Sequence, residues 1–446
     1  MNVLVIGAGL SGLAAAWRLR QAGHAVSLID RRDPAAGDLS FAELDTLHSS
    51  DRHVIGWISE LGLADRLLPL RPLQVAQVLR GRTKVIDPQR LLGVAAIPGV
   101  RKRHALRLLR WSRLMSRYLP LLDPTAPERA ADLDYRSVSD FAGLYFGDSV
   151  LKHWVAPEVE DFFSGEASEL SRVTALLLWR ARMAGSSGYP GLARVGLEPI
   201  YGAANRALAT RHHGAVLGIE AEGGKGYAVA FEGAGAGDTP LRADAVVVAT
   251  SARDAGQLAA AQLEPAERDF FAGVRYRPTL ILTADLERAP SGMPERVRLP
   301  HDEGFSAESV VFEPGLAGSR VASGAGMAMV RAREAFARTA AQVPDDGVAK
   351  SLLADLENLY PALVGSVGAV RLRRSNAGMP AFDVGAYRAL QRFRRVQEDR
   401  RSRGRRLYFA GDYLIAPGVE GQVVAGFRAA ADLIADAPDA ARGGGS

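Results

Sequence analysis

Apolar residues enter this chain in two rhythms. Val3 to Ile6 and Ala25 to Ile29 are short, mostly apolar runs, and Leu13 to Ala22 between them keeps helical spacing until Gly23. Short continuous runs suit strands buried on both faces, so the chain opens as β-α-β. Similar runs return at Ala245 to Ala249, Thr279 to Ala284 and Leu407 to Ala410. Ala215 to Phe231 alternates as two strands around a turn at Gly223 and Gly224. Val348 to Tyr360 and Gln422 to Ala435 have helical spacing, and His53 to Arg182, rich in Arg and Leu, reads as a mixed helical region.

This order predicts an α/β protein. A Rossmann-type dinucleotide-binding domain is discontinuous in sequence and carries an inserted, mixed α+β substrate domain. Residues 1–60, 191–265 and 371–440 are expected to build the first domain. Residues 61–190 (mainly helical) and 266–370 are expected to build the second, with 441–446 a flexible tail. At 446 residues the chain is too long for one core.

Charge and composition narrow the partners. The 55 basic against 50 acidic residues are too evenly balanced to imply nucleic acid. The absence of cysteine excludes disulfides, thiolate metal sites, thiol catalysis and a cysteinyl link to a cofactor. No apolar stretch reaches membrane-spanning length. The apolar start lacks a basic leader, and a cytoplasmic protein is the default expectation. The histidines are scattered; only His212 and His213 adjoin, and neighbours on a strand point to opposite faces, so no metal site is expected. Gly185-Ser186-Ser187-Gly188 reads as a loop rather than a nucleophile turn.

Two basic stretches stand out. Arg101 to Leu119 carries seven Lys and Arg residues and no acid. On one continuous helix of roughly 100° per residue, Arg103, Arg107, Arg110, Arg113 and Arg117 would share a face. Leu108, Leu109, Met115 and Leu119 would lie opposite, with Trp111 and Tyr118 at the border. Such a helix suits either a solvated face or an anionic membrane surface. Arg392 to Arg406 reads as a solvated loop.

Gly7-Ala8-Gly9-Leu10-Ser11-Gly12 fits G-x-G-x-x-G between a strand and a helix. Gly7 permits the turn, Gly9 lets backbone approach a pyrophosphate, and Gly12 lets helix and strand pack closely. The helix start offers unpaired N–H groups to the phosphates. Asp30, ending the second strand, is expected to accept hydrogen bonds from ribose hydroxyls. At the other end of the chain, Leu407 to Ala410 leads into Gly411-Asp412, and Val419-Glu420-Gly421 opens the last helix. Gly411 permits close approach, Asp412 can accept from a ribityl chain, and the helix start can stabilise negative charge on the pyrimidine edge of a flavin.

Together these ends resemble the flavin-containing amine oxidase superfamily, which includes protoporphyrinogen oxidases and phytoene-type desaturases. Ala243 to Thr250 looks like that family's middle strand, with Thr250 near the FAD, and Val216 matches the valine whose backbone meets the adenine. Val155-Ala156-Pro157 through Glu169-Leu170-Ser171, and Met379-Pro380 with Asp383-Val384-Gly385, resemble substrate-domain and closing segments. Where the family has Gly-Gly-Arg, this chain has Ala36-Gly37-Asp38, so either Arg31 or Arg32 substitutes for that arginine near Gly37 or the cofactor is held less tightly. The family's Arg-Trp is Arg374-Ser375 here. Asp45, His48 and Asp51 fall where the family approaches the isoalloxazine. The resemblance implies an FAD-dependent oxidoreductase with non-covalent FAD and a small-molecule substrate. Its amine oxidases place a lysine beside the flavin on the strand matching Tyr276 to Ile281, and no lysine occurs between Lys225 and Lys350. That favours oxidation at carbon of an apolar substrate. An amine or amino-acid oxidase and a non-catalytic flavin protein are the alternatives.

Overall fold

The computed structural model describes residues 1–31, 44–48, 50–66, 71–72, 74–87, 90–183, 191–208, 210–223, 226–233, 239–288, 292–314 and 324–437. The opening apolar run becomes the middle strand, Asn2–Ile6, of a five-stranded parallel sheet. Its order is Leu407–Phe409, Ala245–Val248, Asn2–Ile6, Ala25–Asp30, Thr210–His213. Alternate residues serve opposite faces. Val3, Val5, Leu28, Val247 and Tyr408 pack under the first and last helices, Leu10–Gln21 and Val419–Asp436. Leu4, Ile6, Ile29, Val248 and Phe409 pack against the opposite layer. Both faces are therefore covered, which is why these strands are continuous apolar runs rather than alternating ones.

The two ends of the chain meet in this sheet. A methyl group on Gly426 would come 2.2 Å from the Ser11 carbonyl oxygen, so glycine there lets the last helix lie directly on the first. The last helix also holds the helix Arg52–Glu60. The Glu420 carboxylate accepts from the amides of His53 (3.2 Å) and Val54 (3.0 Å) and lies 2.6 Å from His53 Nδ1.

A seven-stranded sheet forms the second unit, in the order Val367–Pro380, Tyr276–Leu286, Gly326–Ala332, Ala307–Pro314, Arg296–Arg298, Val75–Leu79, Arg82–Ile86. The region from His53 to Arg182 is therefore not wholly helical. Its hairpin turns through Arg80 and Gly81, both at positive φ, and their amides donate to Glu303 at 2.7 and 2.8 Å. An arginine in such a turn leaves little sequence signal. The strand Val367–Pro380 runs through the expected 370/371 boundary and pairs with Tyr276–Leu286. Beside this sheet, Trp111, Trp154 and Trp179 centre a helical core.

Both basic stretches depart from expectation. Arg101 to Leu119 is broken into Lys102–Ala105, a 3-10 turn at Leu106–Arg110 and Trp111–Tyr118. The break rotates Leu109 outward, 77 % exposed beside Leu106 at 68 %, and exposes Leu119, while Leu108, Trp111, Met115 and Tyr118 are buried. Arg392 to Ser402 is helix rather than loop, within Ala386–Ser402. Tyr387, Leu390 and Phe393 bury one face, and Asp134 caps its start through the amides of Gly385 (2.9 Å), Tyr387 (2.9 Å) and Arg388 (3.1 Å). Among the described residues no helix is long and apolar enough to cross a membrane.

Candidate functional site

Strand order reverses between Asn2–Ile6 and Ala245–Val248, and ligands of open α/β sheets bind beyond the carboxyl ends of strands at such a point. A cavity of about 480 Å³ opens there, lined among others by Gly7, Gly9, Asp30, Arg31, Val216 and Thr250. Six residues singled out in the sequence thus converge on one hollow.

The three cradle glycines have distinct reasons. Gly7 sits at φ +104°, and a Cβ there would be 2.6 Å from the Ala249 carbonyl oxygen. A Cβ on Gly12 would be 1.9 Å from the Gly7 carbonyl oxygen. Those two allow packing. Around Gly9 nothing lies within 4 Å of a built Cβ, so its Cα faces open space. Gly9 is also the N-cap of Leu10–Gln21, with no side-chain cap and no acid in the first turn. The helix start offers amides to an external anion. The side chains of Leu10 and Ser11 are buried, so only their backbone can face it.

Asp30 differs from expectation in part. Its Oδ2 accepts from the Ala8 amide at 2.7 Å, so the carboxylate shapes the glycine loop as well as lining the cavity. Gly37 and Arg32 lie outside the described residues, as do the side chains of Asp45 and His48.

The second signature flanks the first through the packed helices. A Cβ on Gly411 would strike the Tyr413 ring at 2.2 Å, and one on Gly421 would lie 1.9 Å from the Ala416 carbonyl oxygen. Val419 is in the core, leaving its backbone as the group near the helix start. Burial pushes the Asp412 carboxyl up to about 7, although its own amide and that of Tyr413 bond to it.

Two tyrosines here had no sequence signal beyond their neighbours. Tyr276 opens a strand of the second sheet, and its Oη accepts from the Ala252 amide at 2.8 Å. Burial and then the Asp412 charge push that phenol up. The buried Tyr413 hydroxyl has no hydrogen-bond partner among the described residues. Two weaker sequence segments also meet, since Arg277 bonds to Glu169 at 3.1 Å and to Asp383 and Glu334.

An open glycine, an uncapped helix start, a hollow reaching Val216 and a polar pair at Asp412 and Tyr413 suit an elongated dinucleotide such as FAD. The model of the NAD(P)-binding Rossmann-like domain matches residues 5–57. Curated relatives match over about a tenth of their length. A D-amino acid dehydrogenase of Neisseria meningitidis serogroup C (strain 053442) is 49% identical over 47 residues, 10% of this chain and 11% of that protein. Solved structures match over nearly the whole chain. A protein assigned as a protoporphyrinogen oxidase from Exiguobacterium sp. 255-15 has TM-score 0.73 and 16% identity, covering 98% of this chain and 99% of its own. Cyclohexylamine oxidase from Brevibacterium oxydans IH-35A gives 0.73, 16% and the same coverage. Putrescine oxidase bound to putrescine gives TM-score 0.71 and 18% identity, also over 98% and 99%. At these identities the likeness shows the fold. The model of the flavin-containing amine oxidoreductases matches residues 42–434, so the chain belongs to that family and is an FAD-dependent oxidoreductase.

Proposed function

We propose that the chain oxidises a carbon centre of a fairly apolar organic substrate, with FAD held non-covalently across the two sequence ends. The observation that carries this is the strand Tyr276–Leu286. Thr279 and Leu280 of this strand match, by the resemblance to the family, the position at which its amine oxidases carry a lysine. Leu280 is buried in the sheet core, and Thr279 lies against Gly378, where an added Cβ would meet its Oγ1 at 2.1 Å. Neither residue can hold a water with a charged donor.

Bound FAD would supply a hydride acceptor that dioxygen or a quinone could reoxidise. The protein's part is to bind and orient. Gly9, Leu10, Ser11 and Gly12 would present the helix start to the diphosphate. Gly7, Asp30, Arg31, Val216 and Thr250 would hold the adenosine end, and Gly37 belongs to the same loop region in sequence. Gly411 and Asp412 would hold the ribityl chain, and the amides of Val419 and Gly421 would stabilise negative charge on the pyrimidine edge.

The test is anaerobic mixing with two panels, one of amines and amino acids, the other of polyenes and reduced ring systems. Bleaching of the flavin by the second panel is expected. Rapid bleaching by the first panel alone would overturn the assignment.

The exposed Leu106 and Leu109 among Arg103, Arg110 and Arg113 support a compatible second reading. In it, this surface rests peripherally on an anionic membrane.

A further inference from the structure

The seven-stranded sheet has unlike faces. Val297, Val310, Val330 and Leu282 point into the apolar core beneath the helix Asp345–Leu359. The opposite face carries buried polar residues in its middle strands. Register places Arg298 abreast of Ser309, and Ser309 abreast of Arg331, with Gln77 on the other side of Arg298. Arg296 is two residues away on the same face. The helix Ala156–Phe163 lies over them with Glu158 and Asp161, and Arg182 reaches in to pair with Glu158.

Charges in this cluster do not balance. Asp161 pairs with Arg296 at 2.8 Å and Arg298 at 3.4 Å. Glu158 pairs with Arg182 and stands 3.8 Å from Arg298. The second oxygens of both acids make no hydrogen bond. A third acid, Glu308, is 3.8 Å from Arg331, but burial pushes its carboxyl up to about 8, so it is mostly protonated at neutral pH. Arg331 instead donates to the Asp161 carbonyl at 2.7 Å. Glu295 and Glu313, other acids of these strands, already have partners. Within the cluster four guanidinium groups thus face the two full negative charges of Glu158 and Asp161, with Asp51 acting on Arg182 from outside it.

The excess has a focus. Arg298 has a side chain 3 % exposed, and its Nη1 is buried without a hydrogen-bond partner. Burying a cation unpaired is costly unless an anion completes it. Around this floor the side chains of Arg182, Arg296 and Arg331 remain 20 %, 17 % and 25 % exposed, so the cluster is reached from solvent. Arg182 also lies within electrostatic reach of the start of the helix Arg52–Glu60. Burial, then Arg298 and Arg296, pull Arg182 down to about 9, while Asp51 acts the other way. Asp51 begins the helix Arg52–Glu60 that Glu420 of the last helix caps.

We propose that Arg182, Arg296, Arg298 and Arg331 form a subsite for a carboxylate carried by the substrate, an inference that rests on reading the chain as an FAD-dependent oxidoreductase. Guanidinium groups suit this ligand because they offer paired N–H donors to its two oxygens. The substrate is then an apolar organic acid, anchored at its carboxylate while a carbon faces the flavin.

The test uses the FAD-loaded protein, titrated with phenylacetate and followed by calorimetry and the flavin absorbance. Phenylacetamide is the neutral control and inorganic phosphate the competing anion. Phenylacetate is expected to bind at least about tenfold more tightly than either. Arg331→Gln, at the exposed rim, should weaken phenylacetate about tenfold or more while retaining flavin and melting temperature. Arg298→Met should weaken it further, and if that variant fails to fold, Arg331→Gln decides. Equal affinity for acid and amide, equal competition by phosphate, no phenylacetate binding, or no change in Arg331→Gln would each overturn the subsite. A protein that takes up no FAD refutes the underlying reading; one that is yellow but indifferent to phenylacetate refutes the subsite alone.

Discussion

Gly9 and Gly12 occupy one motif yet answer to different demands. A Cβ on Gly12 meets the Gly7 carbonyl, whereas one on Gly9 meets nothing. Gly9→Val should therefore keep the melting temperature of the cofactor-free protein and lose FAD. Gly12→Val should lose both, with a folding cost on the order of 1–3 kcal/mol. Equilibrium dialysis with FAD and thermal melts separate the cases, and equal melts for the two variants would contradict this division. Asp412 adds a pH dependence. Its carboxyl rises from 3.8 to about 7 in the folded cofactor-free protein. The unfolded chain releases that proton first, so folded stability falls between about pH 4 and 7 and levels off above. Asp412→Asn should remove that decline, so its melting temperature gains on the wild type across this window. Parallel curves would count against it. The glycines were legible because their motif has a mechanism. The Ala8 amide on Asp30 was not, since nothing local in sequence says which oxygen a loop will occupy.

At the scale of elements, Glu420 couples two helices that sequence places far apart. It caps Arg52–Glu60 from the first turn of Val419–Asp436. Glu420→Ala should cost about 1 kcal/mol in denaturant unfolding, in line with a lost N-cap. No measurable change would mean that water replaces the carboxylate. The broken helix Lys102 to Tyr118 exposes Leu106 and Leu109 among arginines. Binding to anionic liposomes that fades with added salt is expected, and replacing Arg107, Arg110 and Arg117 by Gln should reduce it without altering flavin content. No sedimentation with liposomes at low salt would leave a solvated face. The strands buried on both faces were readable because every side chain reports burial. Helical phase across Leu106–Arg110 was not, because a 3-10 turn shifts the spacing on which the expectation rested. The charge of the run after Arg392 masks the buried face that Tyr387, Leu390 and Phe393 give this helix.

For the whole molecule, the pairing of first and last helices was legible because both carry motifs that one cofactor requires. The arginine cluster was not. Residues 182, 296, 298 and 331 belong to separate elements, apart from the neighbours 296 and 298, and only the register of three strands brings Arg298, Ser309 and Arg331 into line. Catalysis by this chain requires FAD held without a covalent bond between its two ends. The most direct test is the flavin spectrum of the purified protein, taken before and after acid precipitation. A yellow protein is expected, with about one FAD per chain recovered intact in the supernatant and none left on the precipitate. A colourless protein that cannot be reconstituted with FAD yet binds NAD would contradict it.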